Sequence, residues 1–424
     1  MLKKGLLPAI FVALFAYKFH FRPVDHAPDY LRRAVAHNIW NSIFFLTEKI
    51  RSVTSSKMAI GFMNKAMMPT PTNENTIEDI IAITGFQIFE TDILYSIFFE
   101  IVLDLLPLSD NDDYKIHFWR RKDLANKPYQ PTVIFFHGGG FIVGDVPSAS
   151  AFYSSIAADK GITVASVEYR LAPKFPFPAP SDDCFSATEY IINNAEDLNV
   201  DREKIVLAGD SAGGELAIVT AIEIKYKMED FNFAGLVPVY PCMQFLTHRM
   251  QSFEENESTG VLTKDFWRMA GANHAFGISS KTDEIIEEMK TKSVFKRVAE
   301  IYPDIAERFL GAENEGDLEP ADLSDEDVEL FIDPKFSPLL YSDEALFKLP
   351  TTHLFTAEID ILFDDQRLFH EAASEAGANI KWKVWKGAAH CEQSFSTNAI
   401  GKTIAPSIDE HVDEMINSIA DLLK

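Results

Sequence analysis

The apolar pattern changes period along the chain. From about residue 23 to residue 107 apolar positions recur at helical spacing, most clearly over Tyr30 to Ile50 and Thr76 to Leu106, and this region is expected to be mostly helical. From Asp113 the period drops to two. Tyr114, Ile116 and Phe118 alternate with polar neighbours, as in a half-buried strand. A turn containing Pro128 and Pro131 follows, and then the unbroken apolar run Thr132 to Phe136, which reads as a central strand buried on both faces. Further strands are expected over Ile162 to Tyr169, Lys204 to Ala208, Ala234 to Tyr240, Thr352 to Thr356 and Ile380 to Trp385. Helical patterns lie between them, at Ser148 to Lys160, Ser181 to Asn194, Glu215 to Tyr226 and Asp364 to Ala376. Strands alternating with helices predict an α/β domain around a largely parallel sheet.

One stretch interrupts that alternation. From Cys242 to about Pro350 the chain reads as helical and acidic, with a crowd of carboxylates between Glu313 and Glu329. It is too long for a loop between neighbouring strands and is expected to fold as a cap over the sheet. The acidic run reads as a solvated face, not a metal site. The expected division is a hydrophobic segment (1–22), a helical N-terminal cap region (23–107), an α/β domain in two pieces (108–242 and 345–424) and a helical cap insertion (243–344). The Phe and Met residues of the N-terminal region fit core packing or a lid over an apolar pocket.

Composition narrows the function. With 424 residues, 47% of them hydrophobic, the chain can bury a substantial core. A net charge of -25 excludes a phosphate-binding surface, and with it nucleic acid as a partner. Cys184, Cys242 and Cys391 have no metal-type spacing and are too few for a disulfide framework. The N-terminus, Met1-Leu2-Lys3-Lys4, precedes an apolar run from Gly5 to Tyr17. That run is shorter than the about 20 residues that span a bilayer, although it lengthens to Phe21 if Lys18 snorkels. It fits either an uncleaved signal anchor or a hydrophobic helix packed onto the domain. Asn256-Glu257-Ser258 is an N-glycosylation sequon, of use only if this part of the chain faces a secretory lumen.

The candidate chemistry centres on Gly209-Asp210-Ser211-Ala212-Gly213, which joins an apolar strand to a helical run. In that context G-x-S-x-G reads as a nucleophile elbow, with Ser211 held above the sheet edge and a helix N-terminus beneath it. Serine needs a base, an orienting acid and oxyanion donors. His137-Gly138-Gly139-Gly140 follows the strand ending at Phe136, and its glycine amides, with that of Ala212, are the candidate oxyanion donors. Asp360, after the strand that follows the insertion, is the candidate acid; Glu358, Asp364 and Asp365 are its competitors, the last two fitting better in the first turn of the next helix. His390, in the loop after the last strand, is the candidate base. His370 falls in a helical pattern and His353 inside a strand. Cys391 adjoins the base and is expected to point away from it as packing.

Together, His137-Gly138-Gly139-Gly140, Tyr169-Arg170-Leu171-Ala172-Pro173 with Phe177-Pro178, Gly209 to Gly214, Asp360-Ile361-Leu362 and His390 resemble the hormone-sensitive-lipase family of α/β-hydrolases. The N-terminal segment and the length are most similar to the arylacetamide deacetylase and neutral cholesterol ester hydrolase branch. The resemblance implies an α/β-hydrolase fold, with a mainly parallel eight-stranded sheet under a helical cap, and carboxylester or amide hydrolysis without metal or organic cofactor. It also implies a small apolar ester or lipid substrate, and an N-terminal anchor that places a luminal catalytic domain on the endoplasmic reticulum membrane. The chain departs from the family at Ile361, where Pro is frequent, and at Cys391-Glu392, where Gly-Phe is frequent; both positions bear on pocket shape. An arylacetamide-type amidase would use the same triad, and a non-catalytic ligand-binding protein would share the fold.

Overall fold

The computed structural model describes residues 101–107, 114–124, 126–257, 261–304, 316–395 and 407–424. The main sheet contains β1 (Ile101–Pro107), β2 (Lys115–Arg121), β3 (Gln130–Phe136), β4 (Thr163–Glu168), β5 (Val200–Asp210), β6 (Gly235–Val239), β9 (Thr352–Ile359) and β10 (Ile380–Ala389). Two short strands, β7 (Lys292–Ser293) and β8 (Glu319–Pro320), pair with each other inside the insertion. The eight strands of the main sheet lie in the order β1-β2-β4-β3-β5-β6-β9-β10. From β4 to β10 every pairing is parallel, while β1 and β2 run antiparallel at one edge. This is the eight-stranded, mainly parallel sheet that the alternation and the resemblance together imply.

Parallel strands need crossover connections, and helices supply them. They are α1 (Ser150–Lys160), α2 (Ala179–Asn193) and α3 (Ala212–Lys227) in the first half of the domain. The insertion carries α4 (Gln251–Asn256), α5 (Lys264–Phe276), α6 (Ser280–Thr291), α7 (Val294–Ile301) and α8 (Asp325–Ile332). Then come α9 (Asp343–Phe347), α10 (Phe363–Glu375) and α11 (Ile408–Leu422). The apolar run of β3 explains its central place. Ile134 and Phe136 face one core with α2, α3 and α10, whereas Val133 and Phe135 face the other with α1 and α11. A strand buried on both faces carries no polar alternation.

One expectation is overturned. Ile101–Pro107 lies at the end of the region read as helical, yet it forms β1, antiparallel to β2 with Ile101 opposite Arg121 and Pro107 opposite Lys115. A short run such as Ile-Val-Leu-Asp-Leu-Leu fits either period, and the open edge of β2 decides between them. The boundary at residue 107 therefore falls inside the sheet's territory. The hydrophobic segment 1–22 and the helical patterns up to residue 100 lie outside the described residues.

Register brings distant stretches together at the carboxyl edge of the sheet. Phe136 pairs with Gly209, so the loop after β3 and the turn after β5 emerge side by side. Ile359 pairs with Ala389 across an irregularity in β10, so Asp360 and His390 leave neighbouring strands at the same level. Ligand sites of α/β sheets lie at this edge.

Candidate active site

The turn between β5 and α3 is tight, and its geometry shows why its flanks are glycines. A Cβ on Gly209 would lie 2.2 Å from the Gly213 carbonyl oxygen, and one on Gly213 would lie 2.0 Å from that of Phe136. Ser211 sits at the turn with φ 55° and ψ -123°, a left-handed conformation that a non-glycine residue adopts at a cost of about 1–3 kcal/mol. The surrounding bonds hold it there: Ser211 N–H donates to the Val239 carbonyl (2.9 Å), and the Ser211 carbonyl accepts the Gly214 amide (2.9 Å). α3 begins at the next residue, so its N-terminal dipole lies under the hydroxyl.

Three loops then converge. His390 Nε2 lies 2.8 Å from Ser211 Oγ, and His390 Nδ1 lies 2.7 Å from Asp360 Oδ2. All three residues are buried. The other carboxylate oxygen of Asp360 accepts the Leu362 amide at 3.0 Å, which fixes the carboxylate as an acceptor toward the ring. Burial opposes a charge on His390, but the Asp360 carboxylate outweighs it and, with the Cys391 thiol, raises the imidazole well above its ordinary range. Tyr240 closes the far side of the imidazole, with ring centroids 4.7 Å apart.

The competing acids have other partners. Glu358 accepts the Gly387 amide (2.7 Å) and the Lys386 ammonium (2.8 Å). Asp364 and Asp365 occupy the first turn of α10. Asp364 accepts the Ser252 amide at 2.8 Å, and buried Asp365 is met by the Gln244 amide at 3.1 Å. Burial drives the pKa of the Asp365 carboxyl well up, only partly offset by that bond. His370 stacks on Trp382, and His353 bonds to Ser418, both away from Ser211.

The glycine run needs a correction. The Gly138 amide donates to Asp210 Oδ1 at 3.0 Å, so it is not free to stabilise an oxyanion. Among the described residues the amides of Gly139, Gly140 and Ala212 take no internal acceptor, the state that such a donor requires. His137 is likewise structural: its ring stacks on Tyr169 at 4.3 Å, and the Tyr169 hydroxyl donates to the His137 carbonyl at 2.7 Å. Above the loop, a Cβ on Gly140 would meet Phe266 and Ala270 of α5 at 3.0 Å, and Phe141 stacks on His274 of the same helix.

The sequon reading is overturned, and Cys391 lies nearer the base than expected. Cys391 lies close enough to the base to help raise its pKa, while both ring nitrogens are engaged by Asp360 and Ser211. The residue adopts φ 62°, a conformation natural to the glycine frequent at this position. The sequon residue Asn256 is 7% exposed, and its Nδ2 donates to the Asp360 carbonyl at 3.0 Å. The nitrogen that would carry a glycan is therefore packed against the acid loop. None of the three cysteines is in a disulfide.

Asp210 has no assigned role in the sequence reading, yet it joins the three loops. Besides accepting the Gly138 amide, its carboxyl lies beside the Gln393 side chain, just past His390, which helps to lower its pKa. Burial raises its pKa to about 6, partly offset by these groups and by the nearby imidazole. An acid placed directly before the nucleophile, at the end of a buried strand, was the available signal.

A family model for the alpha/beta hydrolase fold matches residues 133–302 and 321–394. The human protein named arylacetamide deacetylase-like 3 is 27% identical over 317 residues, covering 70% of this chain and 75% of its own. Mouse neutral cholesterol ester hydrolase 1 is 25% identical over 287 residues, covering 64% of this chain and 70% of its own. The solved structure of a Pyrobaculum calidifontis esterase superposes with a TM-score of 0.57 at 24% identity, over 78% of this chain and 90% of that one.

Proposed function

We infer the function from one premise: the chain belongs to the alpha/beta hydrolase fold family, and within it acts as a serine hydrolase of carboxylic esters. The observation that carries this reading is the continuous relay from Asp360 Oδ2 through His390 to Ser211 Oγ, at 2.7 and 2.8 Å. His390 Nε2 takes the Oγ proton as Oγ attacks the ester carbonyl carbon. The carbonyl oxygen becomes an oxyanion that faces the amides of Gly139, Gly140 and Ala212. Collapse of this intermediate breaks the bond to the alcohol oxygen, which leaves with the proton from Nε2, and the acyl group stays on Ser211. Water then attacks the acyl-enzyme with the same base. The carboxylic acid departs, and the proton returns to Oγ. Asp360 remains ionised throughout and stabilises the imidazolium.

An apolar ester substrate is supported by the surroundings of the glycine loop. Phe141 lies beneath α5 in a cluster of rings with Phe245 and Phe336, and Phe266 abuts Gly140. It is also in keeping with relatives named for arylacetamide deacetylation and cholesterol ester hydrolysis. In this reading residues 243–344 form a cap over the site. Gly5 to Tyr17 form an uncleaved signal anchor, with the catalytic domain in the lumen of the endoplasmic reticulum. Basic residues followed by an apolar run support that orientation. Among the described residues no helix is long and apolar enough to cross a membrane. An anchored protein stays with the membrane through carbonate extraction, and release into the supernatant rejects the anchor.

The test of the enzyme is covalent labelling with a fluorophosphonate, followed by mapping of the adduct. Label on Ser211, and loss of both label and p-nitrophenyl ester hydrolysis in Ser211→Ala, is the expected result. Turnover retained by purified Ser211→Ala would overturn the assignment.

A further inference from the structure

Asp360 must be held at one height and angle for its carboxylate to meet Nδ1 of His390, yet it stands on a loop. Besides the bonds within the loop, side chains from outside it hold it in place. Ser252 and Asn256 lie one helical turn apart on α4, the first helix of the insertion, so both side chains face the same way. Asn256 Nδ2 donates to the Asp360 carbonyl at 3.0 Å. Ser252 Oγ donates to the Ile361 carbonyl at 2.6 Å and accepts the Asp364 amide at 3.2 Å. The Asp364 carboxylate in turn accepts the Ser252 backbone amide at 2.8 Å. Both side chains are buried, at 7% and 5% exposure. Because the partner of Asn256 is a carbonyl, the amide nitrogen and not its oxygen must face it. Within the loop itself the Asp360 carbonyl accepts only the Phe363 amide at 3.2 Å, a single turn of helix-like backbone.

We infer that Asn256 is a positioning residue for Asp360, assisted by Ser252, and that it is not a glycan acceptor in the active protein. A glycan on Nδ2 would occupy the space of the Asp360 carbonyl, so a chain glycosylated there cannot close the acid loop onto the imidazole. The insertion therefore reaches the triad through its first helix and sets the aim of the acid. This inference rests on the triad proposed above. A misplacement of about 1 Å at a catalytic group costs up to roughly 100-fold in rate. Removing one of two supports on the loop is expected to cost roughly tenfold in kcat, with KM little changed.

Asn256→Ala and Asn256→Asp remove the donor, Ser252→Ala removes the neighbouring support, and Ser258→Ala removes the sequon while leaving Asn256 in place. The proteins are expressed in a glycosylating host. Their kcat, KM and pH profiles are measured, and the residue-256 peptide of fluorophosphonate-labelled protein is weighed. The expected result is a roughly tenfold lower kcat in both Asn256 variants and in Ser252→Ala. The pH limb of kcat moves downward in each, because a misplaced carboxylate holds the imidazolium less well; a merely structural loss leaves that limb in place. Ser258→Ala matches the wild type, and the labelled peptide has its unmodified mass. Should Asn256→Ala fail to fold, Ser252→Ala carries the same readouts. An unmoved pH limb, whether kcat falls or stays at the wild-type value, or a glycan on Asn256 of labelled protein, overturns the inference. Activity surviving in Ser211→Ala rejects the triad instead, whatever the Asn256 variants do.

Discussion

The Asp210 carboxylate accepts the Gly138 amide at 3.0 Å, tying the residue before the nucleophile to the first glycine of the loop that cradles the reaction. That contact has a steric side. A Cβ on Gly138 would stand 2.4 Å from Asp210 Oδ2 and 2.9 Å from its backbone oxygen, closer than real Cβ contacts come. The bond sets the height of the loop and leaves the following amides, Gly139 and Gly140, to face the substrate. The triad and the oxyanion donors are thus parts of one frame.

Gly138→Ala tests the frame. The methyl group pushes the loop from Asp210 and moves the donors beyond it, so kcat falls by about 10²–10³, the loss typical of one oxyanion contact. Steady-state kinetics, with circular dichroism to verify folding, check this. Wild-type kcat in a folded Gly138→Ala protein means that the loop tolerates displacement and that the donors lie elsewhere.

The second prediction concerns the acid. Asp360→Asn keeps the shape of the side chain but loses the charge that holds the His390 tautomer, and turnover is expected to drop by about 10⁴. Asp364→Asn alters only the bonds to Ser252 and Arg367 and costs far less. The pH profile reads the same relationship. With its imidazole raised, the wild type gains activity as pH climbs past the ordinary histidine range, since only the neutral ring accepts the Ser211 proton. Cys391→Ala removes the smaller of the two raising partners, so its limb moves to lower pH with activity retained. A steeper loss in Asp364→Asn than in Asp360→Asn would reassign the acid.

The third prediction is a stability profile. The Asp210 carboxyl has an ordinary pKa of 3.8, raised to about 6 by burial in the fold. The folded state therefore binds the proton more tightly than the unfolded chain. The resulting stability is complete below about pH 4 and is lost as pH rises to about 6. The loss is about 3 kcal/mol for a shift of this size. In Asp210→Asn an amide oxygen still accepts the Gly138 amide, and no charge is buried. Melting curves across and above that window should show the Asp210→Asn variant gaining on the wild type as pH rises through it and holding the gain beyond it. A constant difference across the range removes Asp210 as the source.

Much of the fold was legible in the chain. The period-two stretch at Tyr114 to Phe118 and the largely apolar stretches of β3, β4, β6 and the second half of β5 are visible because backbone geometry and two-sided burial act on consecutive residues. Ser211, Asp360 and His390 were legible for a related reason. In this topology each follows a strand, and strand ends meet at one edge of a parallel sheet.

What the sequence determined by itself was local: the strand and helix periods, the tight turn at Gly209 to Gly213, and which residue types could carry acyl chemistry. The tertiary structure decided everything that depends on partners far apart in the chain. It made Ile101–Pro107 a strand, because the free edge of β2 was there to pair with it. It withdrew Gly138 from the oxyanion donors, because Asp210 had taken up its N–H. It turned Asn256 from a surface acceptor into a buried strut, because helix α4 folds back onto the acid loop. A hydrogen bond between residues a hundred positions apart leaves no periodic trace in either segment, and only packing brings donor and acceptor within reach.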